Sequence, residues 1–231
     1  MTRQTYLTGC AAGVLFVIAM GAVVTSGHAE LEPAHRLVAI LVSFLLVGLI
    51  RLGPRGWFAL AIAALEYVPA SPVFHACLAP VLLAAIVFNT AESPRVESPP
   101  SLTWMAIAIP PLVLVQIALG AAYRHKIWGV LPHMGGAMIV ALLALILCML
   151  LLRERPTLRT AVITTMTIVL CQVALGITSF MLRLLDLDSG PWFTVLTTAH
   201  VSVGAATLAA TALLGRLVVG DPPPHRENAE P

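Results

Sequence analysis

The chain has 231 residues, of which 59% are hydrophobic and 10% charged, with a formal net charge of +2 and a mean hydropathy of +0.94. Soluble domains carry about 45–50% apolar and about 25% charged residues, so the composition excludes a water-soluble globular protein and requires an integral membrane protein. The Lys and Arg residues are scattered over loops rather than gathered on one face, which excludes a nucleic-acid surface.

A helix needs a run of about 17–25 apolar residues to cross a bilayer. Such runs fall at 8–26, 35–53, 55–69, 72–90, 102–124, 131–152, 158–182 and 194–216. The sequence therefore predicts an all-α fold of eight transmembrane helices. The first run has only Arg3 before it and is longer than a signal-peptide core, so it reads as a retained helix. The four cysteines, Cys10, Cys77, Cys148 and Cys171, lie inside apolar runs without a CxxC and read as free buried thiols.

The second run opens on Leu31-Glu32-Pro33-Ala34-His35-Arg36-Leu37. Glu32 and His35, three residues apart, share one helix face and can address one ligand together. Ionisable groups in a spanning helix point to function; the plainer reading makes Glu32 and Arg36 a helix cap among lipid headgroups. The third run is the shortest, about 15 residues covering ~22 Å of a ~30 Å hydrocarbon core. Glu66 near its outer end reads as a carboxylate that reaches to the interface or joins the first-half site, the former favoured. Pro80 and the pair Pro110-Pro111 remove backbone donors and predict kinks.

With the N-terminus in the cytoplasm, that side holds Arg3, Arg51, Arg55, Arg95, Arg153, Arg155, Arg159, Arg216 and Arg226, against Arg36, Arg124, Lys126 and Arg183 outside. The bias predicts both termini inside. Residues 1–90 then form a first four-helix half, 91–101 a cytoplasmic linker rich in Pro, Ser and Glu, 102–216 a second half, and 217–231 a disordered tail. The motif Gln116-Ile117-Ala118-Leu119-Gly120 recurs as Gln172-Val173-Ala174-Leu175-Gly176, and more loosely as Val17-Ile18-Ala19-Met20-Gly21. Four spans return the chain to its starting side, so the halves read as parallel repeats about an axis along the membrane normal.

His35, His75, His133 and His200 fall near the starts of the even-numbered helices, all toward the outer side, two in each half. Two imidazoles on two helices of a four-helix bundle suit the axial positions of a haem, whereas a bare zinc site would ask for three or four ligands. Propionates need cations at the rim, and Arg36, Arg124, Lys126 and Arg183 stand on that side. His28, His125 and His225 read as solvated.

Taken together, these features resemble the heme A synthase family of cytochrome oxidase assembly over nearly the whole chain. The resemblance rests on eight helices in two halves, on ExxHR at Glu32, His35 and Arg36, on one His per even helix, and more weakly on the QxxLG segments. It implies oxidation of a methyl group of heme O to the formyl group of heme A, in the cytoplasmic (inner) membrane. It further implies that His35 and His75 face the substrate haem, that Glu32 is the catalytic or proton-handling carboxylate, and that His133 and His200 ligate a haem b cofactor. Heme O synthase and a quinol-like electron donor are the partners it suggests, and a homo-oligomer stays open. The chain departs from the common pattern in its first outer loop, Gly27-His28-Ala29-Glu30, which lacks a Cys pair; it reads as a divergent member. Two other functions use the same features: a di-haem electron carrier between quinol and an acceptor, and a haem-free transporter or assembly protein.

Overall fold

The computed structural model describes residues 2–68, 71–90 and 99–220, and every regular element among them is helical. The elements are α1 (Arg3–Thr25), α2 (Glu32–Leu46), α3 (Pro54–Leu65), α4 (Pro72–Phe88), α5 (Pro100–Arg124), α6 (Val130–Glu154), α7 (Arg159–Leu184) and α8 (Pro191–Val219). Most of the expected linker and tail, 91–98 and 221–231, lies outside the described residues.

Local chemistry sets the helix starts. Proline occupies the first turn of α2, α3, α4, α5 and α8, where its fixed φ suits the helix and its missing N–H costs nothing. Side-chain caps start two of the helices, Thr2 accepting from Thr5 N and Ser71 from Phe74 N, both at 3.2 Å.

Several boundaries differ from the sequence expectation: α1 starts at Arg3 rather than at 8, α2 at Glu32 rather than at 35, and α3 ends at Leu65 rather than at 69. The run 35–53 is not one α-helix: α2 tightens into a 3-10 stretch, Val47–Leu52, that ends on Gly53 at φ 66, a left-handed conformation that favours glycine. α5 starts at Pro100, inside the expected linker, and continues through Pro110-Pro111. α8 starts three residues early, at Pro191, and runs past 216 to Val219 before Gly220 ends it. His200 is therefore the tenth residue of α8, whereas His35, His75 and His133 are each the fourth of theirs.

Six segments are long and apolar enough to cross a membrane: α1, α2 with its flanking 3-10 turns, α5, α6, α7 and α8. α3 and α4, with 12 and 17 residues, cover about 18 and about 26 Å at the helical rise. The outer faces carry exposed Phe44, Trp104, Leu131, Met138 and Trp192. A water-soluble protein would not show so many large apolar side chains; lipid is the solvent that accepts them. The chain is built as a multi-pass membrane protein.

α8 is the hub. It packs against α1, α4, α5 and α7, while α5, α6, α7 and α8 close a ring in which each helix touches the next and α8 returns to α5. Its buried face combines Leu208, Leu214 and Val218 with a run of small residues, Gly204, Ala205, Thr207, Ala209, Thr211 and Gly215, which let backbones approach where lipid offers no hydrophobic drive. Thr207 and Thr211 donate to Val203 O and Thr207 O at 2.8 Å, so their hydroxyls are satisfied within the helix.

Cations tie the helix ends together. At one end Arg124 Nη2 donates to Ala22 O (2.5 Å) and Ser26 Oγ (2.6 Å), joining the C-termini of α5 and α1, and Ser26 lies 3.4 Å from Thr197 of α8. At the other, Arg216 donates to Phe88 O and stacks over the Phe88 ring, and Arg3 donates to Asn89 O at 3.2 Å. Each guanidinium sits on the free carbonyls of a helix C-terminus, where partial negative charge collects.

Candidate functional site

The helix pairs α5–α6 and α7–α8 carry the same device. Gly120 on α5 faces the imidazole of His133 on α6, and Gly176 on α7 faces that of His200 on α8; a Cβ at either glycine would meet the ring at 2.9 Å. Real side chains essentially never approach so closely, so only glycine leaves the ring its seat. One turn away, Gln116 lies against Gly136 and Gln172 against Gly204. The QxxLG motif is thus half of a mutual fit, whose other half is the His and Gly of the following helix.

The two devices converge. α6 and α8 are packed mainly through α5 and α7, yet their imidazoles meet inside the ring, centroids 6.2 Å apart and planes at 87°. His133 Nδ1 lies 3.2 Å from Gln116 O, which satisfies that nitrogen as a donor and leaves Nε2 available. His200 Nε2 lies 3.5 Å from the Gln172 amide. Beside them, Gln116 Oε1, Gln172 Oε1 and His200 Nδ1 are buried without a hydrogen-bond partner. Buried polar atoms are nearly always satisfied, and orphans call for an explanation such as a ligand or ion. Deeper in the ring, a seam lined by Ile109, Ala144, Leu147, Cys148 and Thr211 leaves no room for a water molecule, so the polar cluster is confined to one end.

No protein-family model matches this chain, and no curated protein matches it.

The first half repeats the device once and then changes it. Gly21 on α1 seats His35 on α2, a Cβ there meeting the ring at 3.1 Å, but Val17 stands where a glutamine would. His75 is seated on a carboxylate instead: its Nδ1 lies 2.8 Å from Glu66 Oε2. Glu66, the C-cap of α3, is 15% exposed and lies inward against His75 of α4, the first-half place rather than the outward one the sequence reading favours. His75 and Glu66 are both within electrostatic range of His35.

The remaining candidates are placed as follows. Glu32 pairs with Arg36 one turn later, on the exposed start of α2, and lies within electrostatic range of His35 without a hydrogen bond to it. Arg124 is committed to the end of α1, although it lies within electrostatic range of His200. Lys126 is exposed, in a left-handed turn at φ 59. Arg183 lies 3.7 Å from Asp188 and over the Tyr123 ring. His28 lies 3.1 Å from Glu30 in the outer loop, and burial, with the neighbouring Arg124, holds the His125 pKa below its usual value. Among the described residues no group of three or more His, Cys, Asp and Glu gathers in metal-binding geometry; the histidines come in twos.

Sequence reasoning leaves Glu66 between the interface and the first-half site, and it passes over the glutamines' packing role. A Gln four residues before the Gly, twice in otherwise apolar helices, was the available signal for the latter. Nothing local decides between the two places for Glu66, because its partner arrives from another helix.

Proposed function

We propose that this chain is a haem-holding membrane oxidoreductase of the heme A synthase type, which oxidises a methyl group of heme O to the formyl group of heme A. The observation that carries the reading is the His133–His200 pair. His133 and His200 would hold one haem between them: their ring centres stand 6.2 Å apart, and the orphaned Gln116, Gln172 and His200 atoms beside them fit a site that expects a ligand.

In this reading the second half holds haem b through His133 and His200, with Gln116 O fixing the His133 tautomer. Haem b there would supply one-electron redox chemistry. Gly120 and Gly176 keep the rings in position, and the closed apolar seam beneath them excludes water. His35 and His75 face the substrate haem in the first half. Glu66 stands beside His75 to hold or pass a proton, and Glu32 stands with Arg36 at the mouth. Arg36 and Lys126, both exposed, are the cations open to propionates, while Arg124 is engaged elsewhere. The reading includes eight crossings in two four-helix halves, with α3 and α4 as short spans, and both termini in the cytoplasm of a cell whose inner membrane holds the protein. Heme O synthase and a quinol-like electron donor are its partners.

A reduced-minus-oxidised spectrum of the purified protein tests the haem, and a colourless protein overturns it. Haem extracted from cells expressing the chain with a heme O source tests the reaction. Heme A supports it; heme O or haem b alone assigns the chain to electron transfer.

A further inference from the structure

Four histidines stand at one end of this molecule, and three of them rest on glycine: His35 on Gly21, His133 on Gly120 and His200 on Gly176. His75 rests on Glu66. We infer that Glu66 is a positioning residue for His75, holding the proton on Nδ1 and leaving Nε2 bare for a ligand. The inference rests on the haem reading only for the ligand that Nε2 would meet.

Two carboxylates lie in this half, and their surroundings separate them. Glu32 is at a helix N-terminus, where the dipole favours an anion by about 0.3–1 kcal/mol, is half exposed, and has the Arg36 guanidinium beside it. The helix dipole and the Arg36 ion pair both favour its charge. Glu66 is the C-cap of α3, where the same dipole opposes an anion. It is also largely buried, and among the described residues its ion-pair contact is the His75 imidazole rather than Lys or Arg. A buried carboxylate at the wrong end of a helix is a cost that neither capping nor reach to the interface explains.

The geometry says what Glu66 does. Both Glu66 oxygens are buried without an aligned hydrogen bond, although His75 Nδ1 stands 2.8 Å from Oε2; a small rotation of the ring lets Nδ1–H donate to the carboxylate, and the other nitrogen then keeps its lone pair. Metal-binding histidines regularly donate their second N–H to a carboxylate or carbonyl, which fixes the tautomer and raises ligand basicity. Gln116 O fills that place for His133 at 3.2 Å; a carboxylate, Glu66, stands in it for His75 at 2.8 Å. The carboxylate makes His75 the more strongly donating ligand and distinguishes the two halves chemically.

The test uses full-length protein labelled with 15N-histidine and depleted of haem, with His75 assigned by its loss in His75→Gln. The expected result is an Nδ1–H tautomer for His75, changed in Glu66→Gln toward the Nε2–H form while the His133 and His200 signals hold still; Glu66→Asp, which keeps the charge, restores part of the native population. An Nε2–H tautomer in the native protein, or one indifferent to Glu66→Gln, overturns the inference. Hemin titrated into the His133→Ala/His200→Ala background reads the first half alone, and loss of Glu66 should weaken it about 10–100-fold, the usual effect of removing an outer partner. Equal hemin affinity with and without Glu66 overturns the positioning role. If the tautomer responds to Glu66 but neither protein takes up hemin, the pairing stands and the haem reading falls.

Discussion

At the scale of single residues, the site is made as much by what is absent as by what is present. A glycine under each of three imidazoles lets the ring lie against a neighbouring backbone, and the prediction follows from the space. Gly176→Ala needs only a small shift of the His200 ring, because the atom it meets is the tip of a side chain; Gly176→Leu displaces the ring altogether. We expect both to fold, at a cost of about 1–3 kcal/mol for the larger one, with an altered haem spectrum in the first and none in the second. Identical spectra for Gly176→Leu and the native protein would sink the seat argument. His133→Ala and His200→Ala should each abolish a low-spin b-type spectrum, since two imidazoles are needed for six-coordinate iron; a low-spin signal surviving either change would show that the second-half assignment is wrong. Product analysis ranks the two carboxylates: Glu66→Gln should accumulate more heme O than Glu32→Gln, and the reverse ranking returns the proton-handling role to Glu32.

Among the elements, α8 decides the architecture. The sequence divides the chain into two halves at 91–101, but α8 packs on α1 and α4 as well as on α5 and α7, so the halves share a helix-wide interface. Arg124 reinforces it by crossing from α5 to the last carbonyls of α1. Hydrogen bonds from a charged group contribute about 1.5–3 kcal/mol, so Arg124→Met should lower the thermal midpoint in detergent distinctly. Arg183, half exposed and 3.7 Å from Asp188, belongs to the class of surface pairs worth about 0–1 kcal/mol. Arg183→Met is thus the matched control. Equal destabilisation by the two changes would remove the inter-half clamp from the account.

For the whole molecule, the charge bias and the end-to-end cation contacts make one testable statement. Arg153 and Arg55 lie exposed at the end where α1 begins and α8 finishes, and Lys126 lies exposed at the histidine end. In a background without the native cysteines, Cys at 55 or 153 should react with an impermeant maleimide only from the cytoplasmic face, and Cys at 126 only from the outer face. The opposite pattern inverts the molecule and moves all four histidines to the inner leaflet.

What the sequence by itself determined is the solvent and the repertoire. Apolar run length specifies helices that satisfy their own backbone in lipid, and His133, His200, Gly120 and Gly176 are each visible as single polar or small residues in apolar helices. Local cues also mark several helix starts, through Pro33, Pro54 and Pro72. The extent of α8 was not legible, because Trp192 and Phe193 lie beside a loop and only the cap geometry at Gly190 extends the helix back to them. Nor was the choice of carboxylate. Glu32 is three residues from His35 and looks like its partner on a helical wheel, yet the i,i+4 guanidinium of Arg36 takes it. Glu66 is nine residues from His75, across a turn that no periodicity describes, and is its neighbour at 2.8 Å. Periodicity records which residues share one helix face; which faces meet depends on packing between helices, and there the short α3 and the central α8 made the decision.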